Sequence, residues 1–82
     1  MKIEYQDGGE KSRLVITSDF LWWRKHIRLV DEILLRVPEL RAVSEGFFIV
    51  KTTVSGFAAD VLQAKIIAEN WGVKIQDKSV EP

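Results

Sequence analysis

Cysteine is absent from these 82 residues, which excludes disulfide staples, thiolate nucleophiles and cysteine-based zinc sites. Histidine occurs once, so any imidazole chemistry must rest on His26. An excess of either charge is also missing. Twelve Lys and Arg balance twelve Asp and Glu, leaving no bulk field to attract nucleic acid or an anionic membrane beyond a local patch. No apolar run approaches the ~20 residues of a membrane helix. Met1–Asp7 has no apolar signal core, so no secretory leader is expected and the location is expected to be cytoplasmic. There is no Gly-x-Ser-x-Gly elbow around Ser18 or Ser55, and Gly8-Gly9 lacks the Gly-x-x-x-x-Gly-Lys pattern of a phosphate loop.

Apolar residues make up 46% of the chain and charged residues 29%, the balance of a folded domain rather than a disordered one. A chain of this size buries only about 60% of its unfolded surface, so its core is small and association with a partner helps it. One α+β domain is expected over residues 1–77, with a frayed polar tail at 78–82.

The stretch 19–37 organises the rest. Phe20, Trp23, Ile27, Val30, Leu34 and Val37 recur at spacings of three and four, which defines a helix face expected to meet the core. Trp22, His26, Leu29 and Ile33 recur at the same spacings on a neighbouring sector. The combined arc covers about half the helix, wider than the ~100° stripe that one sheet covers. This second stripe is therefore expected to meet a partner. Arg24, Lys25, Asp31 and Glu32 read as the solvated side.

Strands are expected at Lys2–Gln6, with Ile3 and Tyr5 on one side, and at Ser12–Thr17, joined by Asp7-Gly8-Gly9 as a hairpin turn. Ser18 or Asp19 caps the first helix, which ends near Val37 because Pro38 disfavours helical geometry in the residue before it. A short strand is expected at Leu40–Val43 and the strongest one at Gly46–Val54. Ser55 is expected to cap a second helix whose core face is Phe57, Val61, Ala64, Ala68 and Trp71, with Leu62 and Ile66 opposite. Gly72 should end it, and Val73–Gln76 should form the last strand. Residues 12–77 then read β-α-β-β-α-β, the ferredoxin-like order. The expectation is a two-layer sandwich with a mostly antiparallel sheet, two helices on one face and the N-terminal strand added at an edge.

Gly46-Phe47-Phe48-Ile49-Val50 resembles the RNP1 segment of an RNA-recognition motif, and Leu14-Val15-Ile16-Thr17-Ser18 stands in the RNP2 place. The resemblance implies bases stacked on sheet aromatics. Phe47 matches, whereas Ile49 and Val15 stand where the other aromatics belong. If Phe48 and Val50 face the helices, Phe47, Ile49 and Val15 form an apolar outer surface.

Three functions follow in order of preference. The first is a small non-catalytic protein–protein interaction module, a homo-oligomer or a subunit of a larger assembly. Its contacts would be Trp22, His26, Leu29 and Ile33, or Phe47 and Ile49 on the sheet. The second is an RNA- or DNA-binding sheet using Phe47, Lys51 and Lys74. The third is a metal-dependent enzyme built on Asp19, for which no second acid is apparent. No catalytic residue, cofactor or metal is assigned, and the expected partner is a protein or a second copy of the chain, not a membrane.

Overall fold

The structure, a computed structural model, describes residues 1–79. Alternation of apolar residues produces the first two strands, β1 (Lys2–Gly8) and β2 (Lys11–Asp19), which pair antiparallel with Ile3 opposite Ile16 and Tyr5 opposite Leu14. All four side chains are buried on one face. At the turn the Asp7 carboxylate accepts the Gly9 N–H at 2.9 Å, an Asx-type contact that stabilises the reversal.

Asp19 closes β2 and accepts the Leu21 N–H at 3.1 Å, starting a 3-10 turn over Phe20–Trp22 that runs into α1 (Trp23–Arg36). After α1 come β3 (Arg41–Glu45), β4 (Ile49–Phe57), α2 (Ala58–Asn70) and β5 (Ile75–Ser79). The sheet order is β3-β4-β2-β1-β5, antiparallel throughout except for the parallel pair β1 and β5. Both helices cover the face that carries Ile3, Leu14, Ile16 and Val54, and Val61, Ala64, Ile67 and Ala68 of α2 complete the core. The small Ala64 and Ala68 let α2 lie close to the strands. Gly56 has a similar role, because a Cβ there would sit 2.7 Å from Leu40 Cδ2, and its absence lets Leu40 pack into the core.

The α+β class, the two helices on one face and the sequence order of the elements agree with expectation. Several particulars do not. The N-terminal strand is not an edge: β1 lies between β2 and β5, where the ferredoxin-like order would put β5 directly beside β2. Complete burial of Ile3 is the physical reason, since a strand with one edge open would leave it partly wet. Ser55 is a strand residue and caps nothing; α2 starts three residues later, with its Ala58 N–H bonded to the Glu10 carbonyl at 3.0 Å. Phe57 is correspondingly exposed rather than in the core. The last strand runs to Ser79, so residues 78 and 79 are paired, and the rest of the expected tail lies outside the described residues.

A polar contact ties the two helices. Trp71, half-buried just past α2, donates its indole N–H to Glu32 Oε2 of α1 at 2.6 Å. Arg36, mostly exposed, lies 3.8 Å from the other Glu32 oxygen and adds little. Trp71→Phe keeps an aromatic ring, though a smaller one, and removes the donor, and should lower stability by on the order of 1 kcal/mol or more. A shift of the urea midpoint measures it. An unshifted midpoint would show that apolar contact alone holds the pair.

Candidate functional site

One end of the molecule carries six of the thirteen large apolar side chains exposed among the described residues. Pairing of β2 with β4 ends at Ser18–Val50 and Asp19–Ile49, so the chain leaving Asp19 emerges beside the turn between β3 and β4. From one side this brings Phe20, and Trp23 and Ile27 from the first turns of α1. From the other it brings Phe47, Phe48 and Ile49. Trp23, Ile27 and Val50 line a void of about 50 Å³ with His26 behind them, so the first turns of α1 pack on the start of β4. Phe47 and Phe48 pack edge to face, centroids 5.2 Å apart at 81°.

The exposures are large: Phe47 86%, Phe48 72%, Phe20 64% and Ile49 62%. With Trp23 and Ile27 the patch presents on the order of 800 Å², taking ~200 Å² for each full aromatic side chain. Gly46 sets its shape. Its φ of +108° is left-handed, and a Cβ there would fall 1.8 Å from the Ile49 carbonyl oxygen, so only glycine closes this turn and points both phenylalanines outward.

Beneath the patch lies a polar chain, buried except at its Ser44 end. His26 reaches from α1 to two strands, with Nδ1 2.6 Å from Ser18 Oγ and Nε2 2.6 Å from Thr52 Oγ1. Thr52 Oγ1 in turn lies 2.7 Å from Ser44 Oγ on β3. A neutral imidazole has one donor and one acceptor, so one hydroxyl donates to the ring and the other accepts from it. Burial holds the His26 pKa below its ordinary value of 6.5, because the charged ring would lose its solvation. Ser18 beside an imidazole has the outline of a nucleophile with its base. Here, however, Ser18, His26 and Thr52 are all sealed from solvent, and a second hydroxyl occupies the side where a carboxylate would orient the ring. The geometry pins helix to sheet.

The expected site residues divide accordingly. Trp22, Phe47 and Ile49 are exposed. His26, Leu29 and Ile33 are not an outer stripe but the core face of α1, together with Val30 and Val37, and are unavailable to any partner. Phe20, Trp23 and Ile27, expected inside, are the ones left in solvent. The hydroxyls of Ser18 and Thr52 on the inner sheet face decide this rotation, since they give the imidazole a satisfied place in the core. Trp22 is partly covered by Lys25, whose ammonium lies 5.9 Å from the ring centroid. Phe47 sits in the turn preceding β4, not on the sheet, so the stacking position implied by the RNA-recognition resemblance is not formed there.

No protein-family model matches the chain, and neither does any curated protein or solved structure. Among the described residues no three His, Asp or Glu side chains come together as a metal-ligand set, Asp19 included. No helix among them is long and apolar enough to cross a membrane.

Proposed function

We propose that the chain is a non-catalytic, cytoplasmic protein–protein interaction module that pairs with a second copy of itself through the apolar end. The gathering of exposed Phe20, Trp23 and Ile27 and exposed Phe47, Phe48 and Ile49 at one end of the sheet carries the reading. Its size supports a second copy as the occupant. About 800 Å² per partner is what a standard interface buries. The six residues forming it are all uncharged, as the centre of such an interface is. Phe47 and Phe48 stand at its most exposed point and would be the anchors.

Sedimentation across a dilution series tests this. The parent should pass from monomer to dimer with concentration. Phe47→Asp with Phe48→Asp should weaken the dimer by at least about two orders of magnitude, with the thermal midpoint of the monomer unchanged. A chain that stays monomeric at every concentration, or a dimer indifferent to both substitutions, overturns the reading. In the first case a different protein would have to cover the patch.

A further inference from the structure

At the opposite end of the sheet, on the face the helices leave open, the strand register assembles a second feature. Arg13 of β2 and Arg41 of β3 both pair with Ser55 of β4, so the two arginines flank one hydroxyl in a cross-strand row that Gln6 of β1 extends. Lys11 and Phe57, paired with each other, form the next row. Alternation puts all of these side chains on the open face, where they line a groove of about 660 Å³, within the range of small-molecule sites. Glu39 stands in the same lining. Among the described residues Arg13, Arg41 and Lys11 form no ion pair.

We infer that this groove binds a nucleoside phosphate, either as a free nucleotide or as a unit of a single strand. Arg13 and Arg41 stand two strand spacings apart, about 9.6 Å between backbones. Both side chains can therefore converge on a phosphate above the Ser55 hydroxyl, the planar recognition to which guanidinium groups are suited. Phe57 lies two residues further along β4, about 6.7 Å away, roughly the distance from a nucleotide's phosphate to its base. Its half-exposed ring offers a sequence-tolerant stacking surface. Lys11 beside it adds a third positive charge. Glu39 argues for a ligand with donors of its own, such as sugar hydroxyls or base amino groups, and against a bare polyanion. The groove accounts for how a chain of zero net charge can hold an anion, because three cations and one acid line it together.

Calorimetry with adenosine monophosphate, and fluorescence anisotropy with a short labelled oligoriboadenylate, would both be run on the full chain in low-salt buffer. Binding in either arm is expected, and the tighter arm identifies the source. The double substitution Arg13→Ala with Arg41→Ala should weaken oligonucleotide binding at least tenfold and reduce its salt slope by about 0.7, the contribution of the one phosphate they share. Phe57→Ala should weaken binding roughly fivefold or more and leave the slope unchanged. Circular dichroism melts confirm that these exposed-site variants stay folded. No binding in either arm, binding untouched by the arginine substitutions, or equal competition by inorganic phosphate or an acidic peptide would overturn the inference. Because the groove and the apolar end are at opposite ends of the sheet, the Phe47→Asp, Phe48→Asp variant should bind the oligonucleotide as the parent does.

Discussion

Replacing His26 with alanine is expected to lower the unfolding free energy by about 3–5 kcal/mol, the largest effect of any single change considered for this chain. Two costs combine. The fully buried ring leaves a cavity, and its removal deprives the Ser18 hydroxyl of its imidazole partner and the Thr52 hydroxyl of one of two partners. Small domains are stable by only about 5–15 kcal/mol in total, so the variant should sit near the edge of folding at ambient temperature. Urea unfolding followed by tryptophan fluorescence would show it. A loss below 1 kcal/mol would mean that the imidazole is not the bridge between helix and sheet.

The same residue gives stability a pH dependence of determined sign. Burial lowers the native pKa of His26 below 6.5, so the unfolded state takes up the proton first as pH falls. The contribution is therefore complete above about pH 6.5 and is lost as pH falls through the depressed native value. No carboxylate belongs to the hydrogen-bonded chain to offset the charge; its members are the hydroxyls of Ser18, Thr52 and Ser44. In His26→Gln, which cannot titrate, the decline just below pH 6.5 should disappear from the series of urea midpoints.

Gly46→Ala is expected to cost about 2–3 kcal/mol of stability and to abolish self-association at concentrations where the parent pairs. A left-handed φ of +108° already strains an L-residue, and the new methyl would overlap the Ile49 carbonyl, so the turn must rebuild. Rebuilding redirects Phe47 and Phe48, which is why association falls with stability. Gly9→Ala provides the comparison. It also has a positive φ, +85°, but a Cβ there meets nothing within 4 Å. It should cost about 1–2 kcal/mol and leave association alone. If both variants behave alike in sedimentation, the clash at Gly46 does not shape the patch.

Much of this architecture is written in local pattern. Ile3 and Tyr5, then Leu14 and Ile16, alternate as half-buried strands must, and Gly72 with Pro38 marks where helices cannot continue. What local pattern does not contain is which elements become neighbours. The helix arc from Phe20 to Val37 is apolar over two sectors, and both contain plausible core sets sharing one stripe of solvent-averse residues. Only the hydroxyls of Ser18 and Thr52, at inward positions of strands otherwise filled by Leu14, Ile16 and Val54, select the sector with His26. Polar residues at core positions were the available signal: they called for a buried partner able both to donate and to accept, and the chain has one imidazole. The placement of Phe47 failed for a different reason. Aromatic and β-branched residues read as strand, and nothing short of the conformation forced by Gly46 reveals that the ladder starts only at Ile49. The basic row of Arg13 and Arg41 was invisible because its members come from different strands, brought together by register alone.

The position of β1 also bears on how the chain is made. Its parallel partner β5 brings Ile75 beside Ile3, joining segments from opposite ends of the described sequence. Synthesis is vectorial, so β2, α1, β3, β4 and α2 all leave the ribosome before β5 does. Through that interval the nascent sheet holds β1 as a bare flank with unpaired backbone amides, the kind of edge that recruits stray strands. Such sequence-distant pairing is slow to form. The growing chain is thus most open to misassembly just before its last strand arrives, and a nick between Trp71 and Ile75 would return the mature molecule to that exposed state.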